Sequence, residues 1–457
     1  MPAPTKSMSE IVNHLKSFGF VFQSSAIYGG LANTWDYGPL GVQLLNNIKR
    51  LWWKHFITLE PNNVGLDSKI LLNPLVWQAS GHIANFSDPV IENKITNKRY
   101  RADHLYESLT HKSASLLSLA ALEEYIHKHV REYDNGPAQW TKIMRFNLMF
   151  QTAQGVNDAQ KQHLYLRPET AQGIFINFNN VQRALRLKLP FGIGQIGKSF
   201  RNEVTPGNFI FRTREFEQME LEFFTHPATA PAAYDYYVTK AHQFLLSLGL
   251  RSEALRLHHH EPHELAHYAQ ATVDIEFCFP FGWQELMGIA NRGDFDLQAH
   301  NQLASEAQRY FDPATNSNII PHVIEPSIGA DRLLLALVCD AYTIETLAPA
   351  DQRVVLKLAY PLCPYQVAVL PLVKKQASAA QALYQQLLAA DLVVTYDEAG
   401  SIGRRYRRQD AIGTYWCITY DYDSDQDAKV TIRHRDTMAQ TRIQISEITD
   451  YIYNNSK

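Results

Sequence analysis

The sequence predicts an α+β architecture: an antiparallel-sheet domain with a mainly helical insertion, followed by a small α/β domain. Three observations predict it. Between residues 163 and 335 strand-like runs follow one another with few helices between them, which favours an antiparallel sheet. From about residue 90 to 160 the chain is polar, and Leu119, Leu122, Ile126, Val130 and Tyr133 step at helical spacing. The last hundred or so residues alternate strand and helix patterns, as a partly parallel sheet requires. The expected division is residues 1–350, carrying the insertion, and residues 351–457.

The elements follow in order. Ile11, Val12, Leu15 and Phe18 mark an amphipathic helix that stops at Gly19. Tyr28-Gly29-Gly30-Leu31 and Asp36-Tyr37-Gly38-Pro39 punctuate a loop, after which Val42, Leu45, Ile48, Trp52 and Phe56 mark a longer helix with an apolar face for a core or a dimer. Strands are expected at Gly173 to Ile176, Gly192 to Val204, Glu217 to Phe224, Val273 to Phe281 and Glu285 to Ala290. Pro349, Pro361 and Pro364 bracket one apolar strand at the boundary. The terminal domain reads as strand Gln366 to Leu372, helix Ala377 to Ala390, strand Leu392 to Tyr396, helix Ile402 to Gln409, and strands Trp416 to Asp421 and Lys429 to Arg433.

Composition narrows the function classes. With 46% hydrophobic and 19% charged residues the chain is an ordinary folded protein, and a net charge of −3 places any nucleic-acid site in a local patch. Four cysteines without C-x-x-C spacing argue against a disulfide framework or a cysteine zinc site. Met1 to Ser7 has no apolar signal core, and the longest apolar stretches are far short of a membrane span, so no membrane association and a cytoplasmic address are expected.

Two motif matches fail on context. Gly192-Ile-Gly194-Gln-Ile-Gly197-Lys198-Ser199 fits both the dinucleotide and the P-loop patterns, which need a following helix whose N-terminus binds the phosphate. Pro206-Gly207 leaves no room for that helix, and glycines in a strand more often mark close backbone approach. His263-Glu264-Leu-Ala-His267 fits the zincin pattern, but the next strand begins within a few residues and no third ligand follows.

The chemistry-bearing residues are charged side chains set in core-like strands: Arg167 to Gln172, Phe200 to Glu203, Phe211 to Glu220, Glu285-Leu286, Arg292 and Glu325 to Arg332. Several arginines and several carboxylates around one half-buried sheet suit a polyphosphate held with a metal beside a small cationic amine. Over nearly its whole length the sequence resembles the class II aminoacyl-tRNA synthetases, specifically the single-chain, homodimeric glycyl-tRNA synthetases. The strings that carry the resemblance include Val76-Trp-Gln-Ala-Ser-Gly-His82, Arg101-Ala-Asp-His-Leu, Leu166-Arg-Pro-Glu-Thr-Ala-Gln-Gly173, Gly197-Lys-Ser-Phe-Arg-Asn-Glu203, Phe209 through Phe224, Glu285 through Arg292, Pro321 through Ser327 and Gly403 through Asp410.

The resemblance implies a class II catalytic domain, with the mainly helical lobe at about 90–160 inserted, joined to a C-terminal anticodon-binding domain. The implied activity is glycine–tRNA ligation through glycyl-adenylate, with ATP as substrate, Mg²⁺ as cofactor, and tRNA(Gly), glycine and a second copy of the chain as partners. By that resemblance Arg201, Asn202, Glu203, Phe211, Arg212, Thr213, Arg214, Glu215, Phe216, Glu285, Leu286, Gly329, Ala330, Asp331 and Arg332 bind ATP. Arg201 would hold the α-phosphate, Arg332 the γ-phosphate, Phe216 the adenine, and Glu285 the Mg²⁺. Glycine falls to Arg101, Glu169, Phe216, Glu217, Gln218, Met219, Glu220, Arg292, Glu325, Pro326, Ser327, Ile328 and Gly329. Under it the P-loop-like segment becomes a strand entering motif 2, and His263 to His267 becomes helical scaffold.

Arg404, Arg405, Arg407 and Arg408 with Tyr406 are expected to meet tRNA, since arginine with an aromatic suits unstacked bases. Where some family members have a cysteine-rich zinc element, this chain reads Asn93-Lys-Ile-Thr-Asn-Lys-Arg-Tyr, so no zinc is expected. Ala411, Tyr415 and His434 depart from the family's usual residues in the terminal domain. A non-catalytic, synthetase-like RNA-binding protein is the alternative, disfavoured because the motif arginines and Glu169 are all present.

Overall fold

In the computed structural model, which describes residues 6–114, 117–156 and 161–456, Ser7 opens the first helix. The Ser7 hydroxyl accepts from the Glu10 N–H and the Glu10 carboxylate accepts from the Ser7 N–H, a capping box that starts α1 (Met8–Ser17). Pro39 begins α2 (Pro39–Trp53), whose stripe of Leu40, Leu44, Leu45, Ile48 and Trp52 is buried. β1 (Asn63–Gly65) follows.

The inserted lobe is mixed rather than mainly helical. β2 (Ser87–Asn93), β3 (Lys98–Arg101), α3 (Ala102–Thr110), α4 (Leu119–His129) and β4 (Met144–Asn147) build a three-stranded sheet in the order β3-β2-β4 with two helices, packed on Ile91, Leu105, Leu122, Ile126 and Trp140. Its strands are short and charged, so the apolar alternation that reveals a strand is faint in them.

The central sheet comes next. α5 (Ala171–Phe175) is a buried helical turn where the apolar run Gly173 to Ile176 suggested a strand; four apolar residues carry no period that separates the two. β5 (Phe191–Phe200) and β6 (Glu215–Thr225) form a long antiparallel pair. α6 (Ala230–Ser247), β7 (Leu255–His259), β8 (Ala271–Phe279), β9 (Gly282–Gly293), α7 (Phe295–Leu303), β10 (His322–Gly329) and α8 (Ala330–Ala341) complete the layer. The seven strands lie in the order β7-β8-β9-β10-β6-β5-β1, antiparallel except at β5 and β1. α1, α2, α6 and α8 share one large core with it.

The P-loop-like glycines sit inside β5, and their missing Cβ atoms make room for neighbours. A Cβ at Gly194 would lie 2.3 Å from Ile57 Cδ1, and one at Gly197 would lie 2.2 Å from Arg167 Nη2. His263 to His267 is a turn, not the helix expected. Only a short loop separates β7 from β8, and Glu264 spends its carboxylate accepting from the Glu261 N–H at 2.8 Å.

A hairpin of β11 (Tyr342–Ala348) and β12 (Asp351–Leu356) leads to the terminal unit. There β13 (Val367–Pro371), α9 (Ala377–Ala389), β14 (Val394–Tyr396), α10 (Ile402–Ile412), β15 (Trp416–Tyr420), β16 (Lys429–His434), β17 (Gln440–Gln444) and α11 (Ile448–Asn455) form a sheet in the order β14-β13-β15-β16-β17. β13 is parallel to both neighbours, and the remaining pairs are antiparallel.

Candidate active site

Strand alternation builds the site. On β6 every second side chain points to the same face, so Phe216, Gln218 and Glu220 line a cavity of about 380 Å³ while Glu217 and Met219 face away. Glu217 meets Lys49 at 3.1 Å, and Met219 is fully buried in the core. The ladder to β10 sets Glu220 opposite Ser327 and Gln218 opposite Gly329, which brings Glu325 and Ser327 to the same cavity.

One end of the cavity is a net of carboxylates with assigned donors. Glu220 Oε1 accepts from Ser327 Oγ at 2.8 Å and from Gln218 Nε2 at 2.9 Å, and Oε2 accepts from the Thr170 backbone N–H and hydroxyl. Glu169 Oε1 accepts from Gln172 Nε2 at 3.0 Å, with His82 Nε2 3.5 Å from its other oxygen. Burial works against ionisation of Glu169, but His82, Arg292 and the Gln172 amide outweigh it and hold its carboxyl far below the ordinary range. Arg292 lies beneath, donating from Nη1 to Glu325 at 2.8 Å and from Nε and Nη2 to Asp296 at 2.7 and 2.8 Å.

The other end is cationic. Arg201, Arg212 and Arg332 line it with Phe211, Phe216 and Thr213. The Arg332 guanidinium lies 4.4 Å from the Phe211 ring centroid and donates to Glu285 Oε2 at 3.1 Å. Arg201 donates from Nε to the Pro168 carbonyl at 3.1 Å and lies 5.4 Å from the Phe216 centroid. Asp331, at the head of α8, accepts from Tyr37 Oη and, at 2.8 Å, from the Glu217 N–H, which ties β6 to α8 and to the short strand Trp35–Tyr37 before α2.

A class II synthetase core domain profile (G, H, P, S and T) matches residues 150–341, and an anticodon-binding domain profile matches residues 366–455. A glycine–tRNA ligase of Mycoplasmopsis synoviae (strain 53) is 56% identical over 446 residues, covering 97% of this chain and 99% of that protein. One from Geobacillus thermodenitrificans (strain NG80-2) is 55% identical over 456 residues, covering 98% of this chain and 97% of that protein. The chain belongs to the glycine–tRNA ligase family of class II synthetases. The fold agrees: prolyl-tRNA synthetase from Cryptosporidium parvum, complexed with L-proline and AMP, superposes with a TM-score of 0.63 at 12% identity, covering 99% of this chain and 80% of that one.

Within the family's motifs the structure separates residues that touch the cavity from residues that support it. Arg201, Glu203, Phe211, Arg212, Thr213, Phe216, Glu285, Leu286, Gly329, Asp331 and Arg332 line it, as do Glu169, Gln218, Glu220, Glu325, Ser327 and Ile328. Asn202, Arg214, Glu215, Ala330, Glu217, Met219 and Pro326 do not. On β6 the strand alternation turns Glu215, Glu217 and Met219 away from the cavity. Glu215 pairs with Lys198 at 3.2 Å, and Arg214 donates to the Glu203 carbonyl at 3.2 Å. Arg101 lies in the lobe, paired with Asp88 at 3.1 Å and Asp103 at 2.7 Å, and Arg292 acts through Glu325.

The sequence reading missed His82, Gln172, Asp274 and Thr170. Asp274 lines the cavity near Glu285; a Cβ at Gly288 would sit 3.4 Å from Asp274 Oδ1 and 3.7 Å from Glu285 Oε1, so this glycine leaves space between two carboxylates. Thr170, Gln172 and His82 stood inside quoted motif strings, and only their contacts reveal their work.

The four arginines expected to meet tRNA divide similarly. Arg405 is buried and donates to the carbonyls of Pro371, Leu372 and Asp397; Arg407 pairs with Asp351 at 2.9 Å and Arg408 with Asp397 at 2.6 Å. Arg404 is exposed and makes no ion pair among the described residues.

Proposed function

We propose that this cavity activates glycine with ATP and that the chain then transfers glycine to the 3′ end of tRNA(Gly). One observation carries the reading: a carboxylate net with a hydroxyl, shaped for a small ammonium, shares one cavity with three arginines. Glu169, Glu220, Glu325 and Ser327 receive the amine. The same groups fill the space around a substrate with no side chain and so exclude larger amino acids by shape.

In the first step a glycine carboxylate oxygen bonds to the α-phosphorus, the bond to the bridging oxygen breaks, and pyrophosphate leaves. Negative charge gathers on the phosphates, and Arg201 at the α-phosphate with Arg332 at the γ-phosphate stabilises it without covalent participation. Arg212 adds a third cation, and Phe216 stacks the adenine. In the second step the terminal ribose hydroxyl of tRNA attacks the adenylate carbonyl and AMP departs.

The hard oxygen donors of Glu285 and Asp274, with the gap at Gly288 between them, suit Mg²⁺. When bound, that ion supplies further charge neutralisation at the phosphates.

Ile27, Tyr28 and Leu31 are 89%, 87% and 59% exposed on the loop before α2, an apolar patch suited to a homodimer contact. Arg404 and its helix face tRNA from a terminal unit, residues 351–457, distinct from the catalytic unit at 1–350. The work in translation gives a cytoplasmic setting.

The test is exchange of labelled pyrophosphate into ATP. Glycine should support it and alanine should not, and addition of tRNA(Gly) should yield glycyl-tRNA. Binding of tRNA with no glycine-dependent exchange would favour the non-catalytic alternative.

A further inference from the structure

Glu222 follows Glu220 by two residues on β6, so it faces the same side one step deeper, where it is fully buried and no longer lines the cavity. Neither of its carboxyl oxygens has a hydrogen-bond partner. The β6–β10 ladder pairs Glu220 with Ser327 and Phe223 with Ile324, which sets Glu222 opposite Glu325.

The charges that act on it are Glu325 from β10, Arg292 from β9, Asp296 from α7 and Glu220 from its own strand. Arg292 is the single cation in that set, and it already donates from Nε and Nη2 to Asp296 and from Nη1 to Glu325. An ionised Glu222 would therefore be a buried carboxylate without a donor, the state that desolvation disfavours most strongly. It would also oppose Glu325 directly, where like charges across a ladder repel.

A neutral Glu222 removes both penalties, because a protonated carboxyl brings its own O–H donor. Glu325 has an oxygen to receive it, since Arg292 takes only Oε2. Burial and the charge of Glu325 raise the Glu222 carboxyl well above the ordinary range; burial raises Glu325 too, to about 8, but there the Arg292 it bonds opposes the shift, so of the two Glu222 is the one that holds the proton.

We propose that Glu222 is a positioning residue for glycine: as a neutral acid it donates its O–H to Glu325 and fixes that carboxylate toward the substrate ammonium. The inference rests on the reading of Glu325 as an amine ligand. Arg292 grips one oxygen of Glu325 and Glu222 the other, so the carboxylate cannot rotate out of line with Glu169 and Glu220. The pair also limits the anionic charge that the amine site presents.

The experiment uses the full chain and the variants Glu222→Gln, Glu222→Leu and Glu325→Gln. At neutral pH the wild-type infrared spectrum should hold a C=O band of a protonated carboxyl that Glu222→Gln lacks. In pyrophosphate exchange Glu222→Gln, which keeps a neutral donor, should retain the glycine KM within about threefold. Glu222→Leu, of similar volume without the donor, should raise it by about tenfold or more, as loss of one hydrogen bond to a charged group does, with the ATP KM held. Its melting temperature should hold or rise, because an apolar replacement of a buried polar group is neutral to stabilising.

An unchanged glycine KM in Glu222→Leu, equal damage in Glu222→Gln, or identical infrared spectra in wild type and Glu222→Gln would each overturn the proposal. An unchanged glycine KM in Glu325→Gln would instead overturn the assignment of Glu325 to the amine and leave the infrared result to stand by itself.

Discussion

At the scale of single residues, function rests on which donors are already committed. Glu220 accepts from Thr170, Gln218 and Ser327, so it is held rigidly while still facing the cavity. Arg332 is held differently: stacked on Phe211 and bonded to its carbonyl at 3.2 Å, it keeps donors directed at the cavity rim beside Glu285. Removing one preorganised charge-stabilising donor commonly lowers a rate by about 10²–10³-fold. Arg332→Ala should therefore reduce glycine-dependent pyrophosphate exchange by that order with an unchanged circular dichroism spectrum. Near-normal exchange in the folded variant would remove Arg332 from phosphate binding.

At the scale of elements, β5 shows how a motif and its structural meaning part company. Gly197 stands where a P-loop glycine would stand, yet its Cα faces Arg167, which is 3% exposed and anchored by donations to the Lys198 carbonyl at 2.7 Å and the Ser68 carbonyl at 2.8 Å. A methyl group there has no space unless that arginine leaves its bonds. Gly197→Ala should destabilise the catalytic unit by about 1–3 kcal/mol, the usual penalty of overpacking. Thermal unfolding would register it as a fall of several degrees, whereas an unchanged melting temperature would mean the strand has room to shift. The turn at His263 to His267 makes the same point, since His267 packs edge-on against Phe295 at 5.2 Å rather than beside His263 on a helix face.

At the scale of the whole molecule, the terminal unit is tied to the catalytic one by buried charge. Asp410 of α10 accepts from Arg433 at 2.8 and 3.0 Å and from Arg353 of the linking hairpin at 3.2 Å, and the Ala411 carbonyl accepts from His14 of α1 at 2.8 Å. α10 thus has a committed face and an open one. Arg405→Gln should lower the melting temperature of the terminal unit, because it leaves the carbonyls of Pro371 and Leu372 without their donor. Arg404→Gln should leave melting unchanged, weaken aminoacylation, and reduce the slope of its salt dependence by about one. Unaltered aminoacylation and slope in Arg404→Gln would place the tRNA contact elsewhere.

How much of this was legible follows from the range of each signal. Local period and punctuation are properties of neighbours in the chain, so α1, α2, the long strands β5, β6, β8 and β9, and the terminal alternation could be read directly. The family strings likewise pointed to the residues that line the cavity. They could not say that Glu217 and Met219 turn away while Glu220 turns in, since that depends on which face of β6 meets the cavity. Nor could they say that Arg405 is buried while Arg404 is exposed. His82 reaching Glu169, Gln172 reaching Asp296, and the register that sets Glu222 opposite Glu325 all join residues distant in the chain. Sequence alone determined the family, the order of its main elements and the chemical types gathered at the site. Tertiary structure alone decided which charges are spent on one another and which remain for substrate, because hydrogen-bond partners are set by register and packing, not by adjacency.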